Sequence, residues 1–112
     1  MILSLYEKDV LQFLLNHHPE TSDIDVDELV VQSRFDNGYA KTLGFAHSQN
    51  ERDVALLSRI GGEYYLMHPK RDDVVEVLIC LANNVPISAE FVPLGLNELP
   101  KDLEDFELKK VD

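Results

Sequence analysis

Three aspartates in "DIDVDE", Asp23, Asp25 and Asp27, stand at the first, third and fifth positions of a calcium-binding loop. The rest of that pattern fails. The sixth position, where the loop needs a glycine for its turn, is Glu28, and the twelfth, where a bidentate glutamate should close the shell, is Arg34. An EF-hand is excluded, and the run reads as a solvated acidic connection.

The four histidines are His17, His18, His47 and His68. Side chains three or four apart share a helix face and adjacent ones do not, so His17 and His18 make a poor chelating pair. A site assembled from distant segments would have to draw on His47, His68 and Tyr64, which are therefore the candidate pocket residues. Ser48 beside His47 suggests a nucleophile and base, but sequence adjacency does not create that geometry, and Ser48 has a helix-capping role to fill. Cys80, the one cysteine, sits within the apolar run "VLICLA" and reads as a small buried hydrophobe; no internal disulfide or cysteine zinc cluster can form. The five glycines are too scattered for a phosphate-cradling loop. Lys70 and Arg71 are followed at once by Asp72 and Asp73, which neutralise them as a nucleic-acid patch. No metal or cofactor is expected.

Ten Lys and Arg against 21 Asp and Glu give a formal charge of -11. The excess lies at the ends, with -6 over residues 1–28, -2 over 29–93 and -3 over 94–112, each counted from the sequence. Nucleic acid and anionic membranes are disfavoured as direct partners, since both require positive charge on the protein. A basic protein surface is favoured.

The elements that must position these residues follow from periodicity. Residues 2–16 place Ile2, Leu3, Tyr6, Val10, Phe13 and Leu14 on one stripe of a helix, with Ser4, Lys8, Asp9, Gln12 and Asn16 opposite. Leu5, Leu11 and Leu15 spill outside that stripe, which fits either deeper burial or a surface for another chain. Acidic residues within this segment, and the lack of a basic leader, argue against a signal peptide or membrane span, so a cytoplasmic location is expected. "LVVQSRF" and "YAKTLGF" alternate around "DNG", predicting an antiparallel hairpin over Val30–Ala46 with Leu29, Val31 and Phe35 on one side and Val30, Gln32 and Arg34 on the other. "SQNE" has the capping-box pattern, predicting a helix from Ser48 through Val54, Leu56, Leu57 and Ile60 that stops at Gly61-Gly62.

"EYYLMH" reads as a strand. "VVEVLICLA" favours a strand by its β-branched residues, although Asp73, Glu76 and Asn83-Asn84 are compatible with a short helix. "PISAEFV" reads as another strand with Pro86 and Pro93 at its ends. The acidic segment 97–112 is expected as a short helix beginning near Pro100, docked by Leu103 and Phe106, or as a partly ordered tail.

At 112 residues the chain is expected as a single domain. The predicted class is α+β, an antiparallel sheet of four to five strands with helices packed on one face. The functional expectation is a non-enzymatic acidic protein-interaction domain of the inhibitor, antitoxin or immunity, adaptor or chaperone type. Asp23, Asp25, Asp27, Glu28, Leu5, Leu11 and Leu15 are its partner-binding candidates. A homodimer through those leucines, or through an unpaired strand edge such as "EFV", is a further expectation. Two alternatives stand beside it: a DNA mimic that blocks a nucleic-acid-binding protein, and a small enzyme or ligand binder with a site outside known motifs.

Overall fold

A computed structural model describes residues 2–46, 56–95 and 98–111. The α+β expectation is corrected: the described residues form a seven-stranded antiparallel sheet with one short α-helix. The strands are β1 (Val31–Asp36), β2 (Lys41–Phe45), β3 (Leu57–Ile60), β4 (Tyr64–Met67), β5 (Val74–Ala82), β6 (Val85–Leu94) and β7 (Glu107–Lys110). Their order is β1-β2-β6-β5-β4-β7, with β3 also pairing β5. The "EFV" segment lies in β6, which is central and hydrogen-bonded on both sides, so it offers no edge. Among the described residues no helix is long and apolar enough to cross a membrane.

The helix α1 (Leu5–Asn16) begins at a capping box that the sequence spells as "SLYE". The Glu7 amide donates to Ser4 Oγ, and the Ser4 amide donates to Glu7 Oε1 at 2.8 Å. Its buried residues are Glu7, Val10, Leu11, Leu14 and Leu15, a spacing of i, i+3, i+4, i+7 and i+8. The stripe is thus rotated from the expected one, and Leu11 and Leu15 lie at its centre while Leu5 and Ile2 face solvent. Against it packs one face of the sheet, through Leu43, Phe45, Leu66, Val75, Val77, Ile79, Ala89 and Phe91.

The hairpin of β1 and β2 forms, and one irregularity within it changes which side chains are inside. Val31 pairs with Phe45, but Ser33 pairs with Gly44, so Gln32 is an extra residue in β1. Because side chains alternate with period two, this bulge exchanges faces for everything after it. Phe35, expected on the same side as Val31, points to the other face and is 63% exposed. Arg34 lies on the α1 side instead and, while still exposed, meets Glu7.

Residues 57–60, expected at the end of a helix, form β3; the expected cap and first turns, Ser48 to Ala55, lie outside the described residues. Beyond Ile60, paired with Ile79, residues 61–64 stand opposite only Val77 and Leu78 before Tyr65 pairs with Glu76. The chain absorbs the surplus at Gly61, whose φ of +114 and close approach to the Val77 carbonyl leave no room for a side chain. The glycine pair is therefore a break between two strands rather than a helix stop.

β5 and β6 are joined by Asn83 and Asn84, with φ of 50 and 65, the two left-handed positions of a tight hairpin turn. Pro86 and Pro93 lie within β6 rather than at its ends. They are tolerated because β2 covers only Ser88 to Phe91, so neither missing amide falls opposite a β2 partner. The C-terminal segment contributes a 3-10 turn at Leu103–Asp105 and then β7, not a helix. Leu103 and Phe106 are buried as docking residues.

Candidate functional site

The face of the sheet opposite α1 has no helix laid on it among the described residues. Its rows follow from the strand register. Phe35, Thr42, Glu90 and Leu78 lie side by side across β1, β2, β6 and β5. Val92, Glu76, Tyr65 and Lys109 continue across β6, β5, β4 and β7, followed by Leu94, Val74, Met67 and Glu107. Leu78, Val74, Val92, Tyr65 and Met67 are half-buried, and none of them joins the core. β5 alternates fully: Val75, Val77, Ile79 and Leu81 point to the core, while Val74, Glu76, Leu78 and Cys80 point to the open side. An antiparallel sheet with one solvated face ordinarily reads apolar-in and polar-out. β5 is apolar on both sides apart from Glu76.

The acidic candidates lie elsewhere. Asp23, Asp25, Asp27 and Glu28 are all exposed in and before the 3-10 turn at Val26–Glu28. The Asp25 carboxylate caps this turn by accepting from the Asp27 amide, and Asp27 pairs with Lys8 at 3.0 Å. Of the three leucines, Leu5 is 80% exposed, whereas Leu11 and Leu15 are completely buried and have no surface to offer.

Of the pocket candidates, the two described ones, Tyr64 and His68, lie at opposite ends of β4 and do not meet. His47 lies outside the described residues. Tyr64 begins β4 and packs edge-on against Phe13 and His17. His68 follows the other end of β4 and packs edge-on against Phe106.

His68, Asp102 and Asp105 bring one ligand atom each within 4.8 Å, a grouping that could attract a cation. The surrounding hydrogen bonds oppose it. The Lys70 amide donates to His68 Nδ1, so in the neutral ring the proton sits on Nε2, facing Asp102 at 3.5 Å, and no lone pair is left for a metal. Arg71 already holds both Asp102 oxygens, at 2.8 and 2.9 Å, and keeps that carboxyl below its usual range. The grouping pins the β4–β5 turn to the C-terminal segment.

An open cleft of about 410 Å³ is lined by Ser4, Tyr6, Lys41, Lys101 and Glu104, among others. Two of the polar groups at its centre are engaged. Tyr6 donates to the Phe106 carbonyl, and burial together with the Glu104 charge pushes its ionisation upward, so it is no base. Lys41 is bound to Glu7 at 2.9 Å and lies over the Phe91 ring. The arrangement suits a structural lock rather than proton transfer.

Sequence reasoning missed the open face. Its signal was present in "VVEVLICLA", where apolar residues occupy both parities of the alternation and so mark a strand with something to bury on each side. Comparison with protein-family models, with curated proteins and with solved structures finds no match to this chain.

Proposed function

We propose that the protein is a non-enzymatic, acidic, cytoplasmic interaction domain that binds a protein partner with basic groups, in the manner of an inhibitor, an immunity or antitoxin protein, an adaptor or a chaperone. One observation carries this reading: the outward side of the central strand β5 presents Val74, Leu78 and Cys80 on a face to which α1 does not extend. Apolar groups gathered on such a face gain from being covered. The formal charge of -11 favours a basic partner and would steer its approach at low salt.

The test is retrieval of the partner. Tagged protein incubated with host lysate at low salt and eluted by a salt step is expected to release one stoichiometric protein. Bait that retrieves nothing at any salt concentration would contradict the reading.

A further inference from the structure

Two carboxylates on the central strands determine what can cover the open face. Glu76 on β5 stands opposite Val92 on β6, and Glu90 on β6 stands opposite Leu78 on β5. They are diagonal neighbours, about 7 Å apart at Cβ. Both are half-buried among Leu78, Val92, Tyr65 and Thr42, and among the described residues no hydrogen bond or ion pair engages either one.

A purely apolar partner would remove two negative charges from water without compensation, at a cost that outweighs the apolar contact. A second copy, docked by a two-fold axis, would set four carboxylates against one another. An anionic surface would be repelled. A cation set among apolar groups satisfies the part of the face around Glu76 and Glu90. At Glu76 and Glu90 both strands are already paired on each side, so a partner strand cannot join them there, and the opposite face shows that this sheet accepts one helix laid across it.

We propose that the open face receives an amphipathic helix of the partner protein whose apolar stripe carries an arginine, its guanidinium placed between Glu76 and Glu90. Arginine suits the position better than lysine, because its planar fork of donors can serve two carboxylates at once. The inference rests on the interaction reading above and specifies its surface and chemistry.

The probe is a synthetic amphipathic helix of about 18 residues with a leucine and alanine stripe and one central arginine, beside the same peptide with glutamine there. Dissociation constants are measured at about 0.15 M salt, where long-range attraction is screened. The arginine peptide is expected to bind at least about tenfold more tightly than the glutamine peptide, and Glu76→Gln with Glu90→Gln should abolish that difference. The charge-matched pair Asp9→Asn with Glu20→Gln, both exposed and on or just after α1, should change it less than about twofold. Glu76→Lys with Glu90→Lys, checked for an unchanged melting curve, should transfer the preference to a peptide carrying glutamate instead.

Equal binding of the two peptides, or undiminished discrimination by the double variant, would overturn the proposal. So would a dimer in sedimentation that Val92→Lys disperses, which would assign the face to a second copy. If the peptides fail while tagged protein still retrieves a salt-eluted partner, this inference falls and the interaction reading stands. If nothing binds, both fall.

Discussion

The Glu7 carboxylate accepts from both terminal nitrogens of Arg34 at 2.8 Å, joining the first turn of α1 to the edge strand β1 across 27 positions of sequence. Lys41 on β2 adds a third charge at 2.9 Å, and Glu7 is only 2% exposed. Removing one member of a buried pair leaves the other charge uncompensated. Glu7→Ala is therefore expected to cost about 3 kcal/mol, including its share of the capping box, measured by urea unfolding. A loss below about 1 kcal/mol would show that the pair does not hold the helix to the sheet.

The same carboxylate sets an acid limit. Burial alone would raise its pKa, but hydrogen bonds from Arg34, the Ser4 amide and Lys41 outweigh burial and lower it from 4.5 to about 2. A lowered carboxylate pKa contributes stability above the unfolded value, and that contribution is lost as pH falls through the folded value. Stability should therefore decline from about pH 5 towards pH 2, with Glu7 supplying about 3 kcal/mol of the change. Glu7→Gln should flatten the decline; an unchanged slope would remove Glu7 from the account.

Adjacent residues on β5 should respond in opposite ways. Ile79 is buried in the core and Leu78 faces the open side. Ile79→Ala is expected to cost about 2–5 kcal/mol and Leu78→Ser less than about 1 kcal/mol, compared by denaturant midpoints. Similar losses at both positions would mean that the open face is covered from within the chain.

The turn at Asn83-Asn84 gives a further stability test. Asn84 holds φ of 65, where a side chain that lacks the local hydrogen bonds of asparagine is accommodated only at a cost. Asn84→Ala should destabilise by about 1 kcal/mol, whereas Asn84→Gly should be neutral or slightly stabilising. The reverse order would rule out the left-handed turn.

The acidic segment should act on rate rather than on grip. Asp23→Asn with Glu28→Gln is expected to slow association with the retrieved partner several-fold at low salt and flatten its salt dependence, leaving dissociation unchanged. Stopped-flow or surface-based kinetics would check this, and an unaltered association rate would remove the steering argument.

These residues also show where the sequence was legible. The "DNG" hairpin declared itself because turn chemistry is local, as did the helix, through its apolar period. Arg34 and Phe35 were assigned to the wrong faces because a single extra residue at Gln32 reverses the alternation, and a bulge is settled by the partner strand rather than by local preference. The burial of Glu7 was not legible, because its counter-charges lie on strands that the sequence does not place beside it. The Asn83-Asn84 turn was readable but competed with a helix cap. β7 was missed because "ELKK" carries little strand character of its own and gains it by pairing β4. At the candidate site, both strand alternations were visible, but the diagonal placement of Glu76 and Glu90 depends on the register between β5 and β6.

The central claim is that a partner protein covers the open face, and paired baits test it most directly. Wild-type protein and a Leu78→Ser, Val92→Ser variant with an unchanged melting curve would be used to retrieve proteins from the same lysate. One stoichiometric protein is expected on the wild-type bait and not on the variant. The same protein retained equally by both baits would contradict it.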